Sequence, residues 1–175
     1  MRAAFRDVHA ARLHGFALLI ALGDRAPAMA AAGRALTEGT RRLSELRHPE
    51  RAAAWLRWRV VRRLASGHPS GSLSSLRGLG VDEALFHGLQ ALPLRERAAL
   101  IASSIEGFAP LDVATILGVS PVAARRVAAT ARRRFAAAYA ASPSGEVSYG
   151  PLADRVLLVA ARGFVPRPPS RAPSA

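Results

Sequence analysis

Cysteine is absent from the 175-residue chain, which excludes disulfides, thiol catalysis and zinc–thiolate sites. Lysine is absent as well, so all 25 basic residues are arginines. In so alanine-rich a chain that is the bias of GC-rich coding, and the choice of arginine over lysine carries little functional information. The sign of the charge carries more. Only 12 acids oppose the arginines, for a net charge of +13, which favours a polyanionic partner. Aromatic residues make up 6% of the chain while hydrophobic residues make up 50%, so a core has to be built from slender helices packed closely. No apolar run approaches the ~20 residues that span a bilayer, and no membrane partner is expected. The histidines, at 9, 14, 48, 68 and 87, show no metal-ligand spacing, and no recognisable carboxylate constellation is present. We therefore expect neither an enzyme nor a cofactor.

The charge that is present is unevenly spread. Residues 1–66 carry thirteen arginines against five acids, and residues 89–141 carry seven against three. Residues 67–88 carry one arginine against two acids. Two basic helical blocks separated by a joint that is not basic suit two nucleic-acid-facing modules; a generally basic protein is the plainer alternative.

The most informative stretch runs from Ala91 to Phe135, ALPLRERAALIASSIEGFAPLDVATILGVSPVAARRVAATARRRF. Pro93 suits a first helical turn, and Leu94, Ala98, Ile101 and Ile105 recur at helical spacing, with Gly107 as the expected C-cap. Pro110 opens a short second helix with Val113, Ala114 and Leu117 facing inward, and Gly118 supplies a tight turn. Ser120 is an N-cap and Pro121 a first-turn residue for a third helix. That helix has a stripe of Ala124, Ala128, Ala131 and Phe135, with Arg125, Arg126, Arg132 and Arg133 mostly off it. A short helix, a glycine turn and a longer basic helix make the plan of a helix-turn-helix, whose second helix enters the major groove N-terminal end first. An ordinary helical hairpin with a solvated arginine face has the same spacing.

These motifs in register, ALPLRERAAL, EGF, DVATILGVS and ARRRF, resemble region 4 of bacterial sigma factors, in particular the small extracytoplasmic-function class. Leu92, Pro93, Arg97, Gly107, Asp112, Val113, Ala114, Leu117 and Gly118 match the pattern over about fifty consecutive residues. Ala109 stands where the family has a Ser or Thr cap, and Ala123, Val127 and Thr130 stand where it often has Thr, Arg and Arg. The resemblance implies that Ser120, Pro121, Val122, Arg125, Arg126, Thr130, Arg132 and Arg133 read the −35 promoter element.

Residues 1–66 read as all-helical. Leu13, Phe16, Ala17 and Ile20 repeat at helical spacing, and Gly23-Asp24 makes a turn. A second helix runs from about Pro27 to Leu46 and is broken at His48-Pro49; a third covers Ala52 to Ala65. Arg2 and Arg6 before the apolar run Phe16 to Leu22 mimic a signal peptide, but Asp7, the histidines and the abrupt Gly23-Asp24-Arg25 favour a buried helix. RLHGFALLIALGD and PERAAAWLRWRVVRRLA resemble region 2 of the same sigma class. The resemblance implies that Arg57, Trp58, Arg59, Arg62 and Arg63 meet the −10 element, arginines holding phosphates and a flat ring stacking on bases of an opened strand. Trp55 reads as core, and Trp58 fits core and stacking equally. The helix that in the family grips the polymerase corresponds to Met29, Ala30, Gly33 and Arg34. Here Ala30, Gly33 and Arg34 replace the family's Asp, Gln and Glu, so the charge at Arg34 is reversed.

The expected architecture is all-α: two small helical domains joined by a flexible linker. Residues 1–66 form a region 2-like domain, 67–81 a Gly/Ser-rich linker, 82–141 a region 4-like helix-turn-helix domain opened by Asp82 as cap, and 142–175 a C-terminal extension. Within that extension, Pro151 to Ala161 reads as a helix or a strand, and the Pro/Arg/Ser-rich end from Val165 reads as disordered. The expected function is that of a cytoplasmic sigma factor bringing RNA polymerase core to double-stranded promoter DNA. The alternatives are a sigma-derived DNA-binding regulator that does not engage core, and a decoy that binds an anti-sigma factor.

Overall fold

The computed structural model describes residues 2–46, 48–67, 71–77 and 81–142. Almost all of the 142–175 extension, with its Pro151–Ala161 segment, lies outside the described residues. All regular structure among the described residues is helical. In chain order it comprises α1 (Arg2–Ile20), α2 (Arg25–Arg41), α3 (Pro49–Leu64), α4 (Leu73–Arg77), α5 (Glu83–Gln90), α6 (Leu94–Leu100), α7 (Pro110–Leu117) and α8 (Pro121–Ala140). A π-helical segment, Ile101–Ile105, continues α6.

In the N-terminal half α1, α2 and α3 pack on one another. Leu13, Phe16, Ala17 and Ile20 of α1 are buried against Leu56 and Val60 of α3 and the small stripe Ala28, Ala31, Ala32, Ala35 and Leu36 of α2. Alanines keep the α2 face thin, so a chain with few aromatics still closes its interior. α2 stops at Arg41, earlier than the Leu46 expected from sequence, and its backbone runs on into turns held by Glu45 N–H to Arg42 O and Leu46 N–H to Arg42 O.

In the C-terminal half α8 runs against α5, α6 and α7. Its Ala124, Ala128, Ala131, Phe135 and Tyr139 form the buried stripe. Gly88 is required where α5 crosses it, because a Cβ there would lie 2.6 Å from the Phe135 ring. Asp82 caps α5 by accepting from the Leu85 N–H at 2.8 Å. The sequence predicts one α-helix from Leu94 to Ile105; the structure changes to π geometry at Ile101, with the Glu106 N–H donating to the Ile101 carbonyl at 2.9 Å. Ile101, Ala102 and Ile105 of the widened turn are all buried; π geometry occurs mostly as such single turns inside α-helices.

The halves share one continuous apolar cluster. α3 packs against α7, and α1 touches α6 and the π segment. α4 stands inside the stretch whose Gly/Ser composition predicts a linker, and its Leu76 is fully buried. Arg97 of α6 is also buried. Its Nε donates to Leu89 O at 2.9 Å, one terminal nitrogen to Leu92 O at 2.7 Å, and the other to Ile20 O. It thereby closes carbonyls at the C-terminal ends of α1 and α5, where the helix dipoles favour a cation. Burial pushes its pKa down to about 10, which leaves it charged at neutral pH.

Candidate nucleic-acid interface

α7 ends on Gly118, which has φ +65° and serves as its left-handed cap, a conformation that costs a residue with a Cβ about 1–2 kcal/mol. Val119 then donates its N–H to Ala114 O at 3.1 Å. Ser120 caps α8, its Oγ accepting from the Ala123 N–H at 3.3 Å, and Pro121 occupies the first turn. Ala109, at the N-cap of α7, provides no side-chain bond.

The entry of α8 faces outward. Ser120, Pro121, Val122, Arg125 and Arg126 are exposed, Val122 at 52%. Arg132 and Arg133 continue the exposed face one to two turns further on, and Thr130 beside them is half-buried. Arg133 donates to the Thr130 hydroxyl at 3.3 Å. Among the described residues no carboxylate neutralises Arg125, Arg126, Arg132 or Arg133; Arg134, the neighbour outside the expected set, is tied to Glu96 at 2.7 Å. The residues expected to read a major groove are therefore gathered on one unneutralised surface.

The five residues expected on α3 are placed differently from one another. Arg57 is 2% exposed, with its Nε donating to Glu106 at 2.7 Å and a terminal nitrogen donating to the same carboxylate. Its guanidinium also lies over Phe108, 4.7 Å from the ring centroid. In this arrangement Arg57 faces the protein and holds no phosphate-facing position. Trp58 is half-buried beside the α7–α8 turn, close enough that a Cβ on Gly118 would stand 3.2 Å from its Nε1. Arg59 and Arg63 both reach Glu38 of α2, Arg63 at 3.5 Å. Arg62 is exposed, over the Trp58 ring at 5.1 Å. Trp55, expected as core, is half-buried and packs against the apolar cluster.

On α2, Met29, Ala30 and Arg34 are exposed and Gly33 is partly so, all on the face opposite the alanine stripe. Met29 is 52% exposed. The polar side chains that bind the arrangement together, Glu38, Glu106 and Arg97, carry no motif that announces their partners, which are 21, 49 and 77 residues distant in the chain. Among the described residues there is no cluster able to hold a metal ion, and no helix is long and apolar enough to cross a membrane. Comparison with protein-family models, curated proteins and solved structures gave no match.

Proposed function

We propose that the chain is a DNA-binding transcription factor of the sigma type, which recruits RNA polymerase core to promoters in the cytoplasm. The observation that carries this reading is the α7–α8 pair. A short helix ends on a left-handed glycine, and a longer helix follows whose capped N-terminal end and arginine face are exposed and unneutralised. This is the form in which a helix-turn-helix presents its second helix to the major groove. In that role Arg125 and Arg126 are the leading contacts, Ser120 and the first turn of α8 approach a phosphate, and Arg132 and Arg133 follow the backbone.

A second reading, a regulator that binds DNA without engaging core polymerase, is favoured by α2, whose exposed face carries Arg34 where the resembled family carries an acid. A decoy for an anti-sigma factor would need neither DNA nor core. Two measurements separate the three: fluorescence anisotropy on promoter-length duplex DNA, and co-purification with core polymerase. Binding to both supports the sigma reading, binding to DNA alone supports the regulator, and binding to neither overturns both. For the α8 surface itself, changing Arg125 and Arg126 together to Ala should lower the salt slope of duplex binding by about 2 if both meet phosphates. If instead they read bases, sequence preference should relax.

A further inference from the structure

The short helix α7 is held at both ends by two consecutive residues of α3. Where the chain enters α7, Arg57 grips Glu106 with two nitrogens and lays its guanidinium over Phe108, 4.7 Å from the ring centroid. Where the chain leaves it, the Trp58 indole abuts the turn at Gly118, so that a Cβ there would stand 3.2 Å from Nε1 and 3.6 Å from Cδ1. We infer that Arg57 and Trp58 are positioning residues for α8: they fix α7, and through the Gly118 turn they fix the direction in which the exposed entry of α8 meets duplex DNA. The inference rests on the proposed reading of α8 as a DNA-reading helix, and it makes the N-terminal half part of that reading.

The far end of α8 has its own supports. Phe135 packs against Gly88 of α5, and Arg134 is tied to Glu96 of α6 at 2.7 Å. The entry of α8 is seated on α7, through the Val119 N–H bond to Ala114 O at 3.1 Å and the buried Ala124. An eight-residue helix such as α7 is about 12 Å long and too short to be stable by itself. Its buried side chains, Val113, Ala114, Ile116 and Leu117, are small or aliphatic, and apolar burial sets no direction. The ion pair and the indole do. A guanidinium bound to a carboxylate through two nitrogens has one geometry. The Trp58 ring is itself braced, with the guanidiniums of Arg59 and Arg62 at 5.4 and 5.1 Å from its centroid, and Arg59 is anchored by Glu38 of α2. The brace therefore runs from α2 through α3 to the α7–α8 turn.

This placement matters most for contacts to base edges. Such contacts need a fixed approach and discriminate by roughly tenfold or more each, whereas charge supplies general affinity and the salt slope. A loosened α7 should cost sequence preference while the slope stays the same.

The test uses the full chain. Its probes are the duplex that the wild type enriches from a randomised pool of about 30 base pairs and a shuffled duplex of the same composition. Trp58→Ala removes the indole, and Trp58→Phe keeps a ring at the turn. At a temperature where melting curves show both variants folded, Trp58→Ala should lower the preference for the enriched duplex about tenfold, with an unchanged salt slope. Trp58→Phe should restore most of the preference. Arg57→Met with Glu106→Leu keeps the net charge and should act in the same direction as Trp58→Ala; a fall in its salt slope places Arg57 on a phosphate and overturns its positioning role. A general loss of stability lowers both affinities together and leaves their ratio alone, and an unchanged ratio overturns the inference.

Emission gives a second readout, which decides alone if Trp58→Ala does not fold. The chain has two tryptophans, so in a Trp55→Phe background Trp58 reports by itself. Its emission should shift when duplex is added, and Arg125→Ala/Arg126→Ala should abolish the shift. A shift produced by a single strand and not by duplex assigns the indole to base stacking and overturns the inference, as does no shift with either. If the wild type binds no duplex, or Arg125→Ala/Arg126→Ala binds as the wild type does, the reading of α8 fails and the inference with it. If that variant loses binding while Trp58→Ala keeps the full preference, the inference alone fails.

Discussion

Arg57 of α3 and Glu106, the residue after the π segment, form a two-pronged ion pair across the two halves of the chain, with side-chain exposures of 3% and 14%. Removing one member leaves a buried charge uncompensated. Glu106→Ala should therefore destabilise the fold by about 3–5 kcal/mol, measured by urea denaturation, whereas Arg57→Met with Glu106→Leu should cost much less than the sum of the single changes. Additive effects would mean that the pair does not hold the halves together.

Arg97 should be the least replaceable charge in the protein. Its three donors serve three buried carbonyls on separate turns. Arg97→Met leaves the Ile20 and Leu92 carbonyls without the donors it supplied, while Leu89 O keeps the Leu92 N–H at 3.2 Å, and should cost about 2–5 kcal/mol. Arg97→Lys keeps the charge but lacks the planar fork and should recover only part of the loss. Thermal melts of both variants check this.

The turn between α7 and α8 should be sensitive at one residue and improvable at another. Gly118→Ala places a Cβ at φ +65° and 3.2 Å from Trp58 Nε1, and should destabilise by about 1–2 kcal/mol. Ala109 has extended backbone at the N-cap of α7 and makes no side-chain bond. Ala109→Ser should therefore stabilise by about 1 kcal/mol. Both effects are read from denaturation midpoints.

Acid should weaken the fold through α1. Burial lowers the pKa of His9, helped by the nearby charge of Arg57, and burial lowers that of His14, each from an ordinary value of 6.5. A histidine whose folded pKa is depressed binds its proton more readily in the unfolded chain. Its favourable contribution is complete above pH 6.5 and is lost as pH falls through that value toward the folded pKa. Stability measured from pH 7.5 to 5 should decline below about 6.5, and His9→Gln/His14→Gln should flatten that decline.

Charge on α2 should trade one partner for another. Ala30→Asp with Arg34→Glu restores the acidic pattern of the resembled sigma factors, and charge-assisted hydrogen bonds contribute about 1.5–3 kcal/mol each. The double variant should bind RNA polymerase core more tightly in a pull-down and bind mixed-sequence DNA less tightly. Tight core binding by the wild type, weakened by these changes, would show that the helix is matched to the family in the wrong register.

The helices were legible in the sequence because their signals are local. Pro110, Gly118, Ser120 and Pro121 set the ends of α7 and α8 through backbone geometry and caps alone, and the Ala124–Phe135 stripe follows from helical period. The same local logic placed Arg125 and Arg126 on the outside. What the sequence could not determine is which arginines remain available. Arg57 and Arg62 read alike in RWRVVRR, yet one is buried against Glu106 and the other is exposed. That difference depends on where the second half docks, a matter of packing between residues 49 positions apart. Leu76, fully buried within a Gly/Ser-rich stretch, makes the same point, and so does Glu38 of α2, which is met by Arg59 and Arg63 of α3. Local propensity and period determined the helices and their faces. Long-range burial and charge pairing, which only the tertiary structure brings together, decided which of those faces is left for a partner.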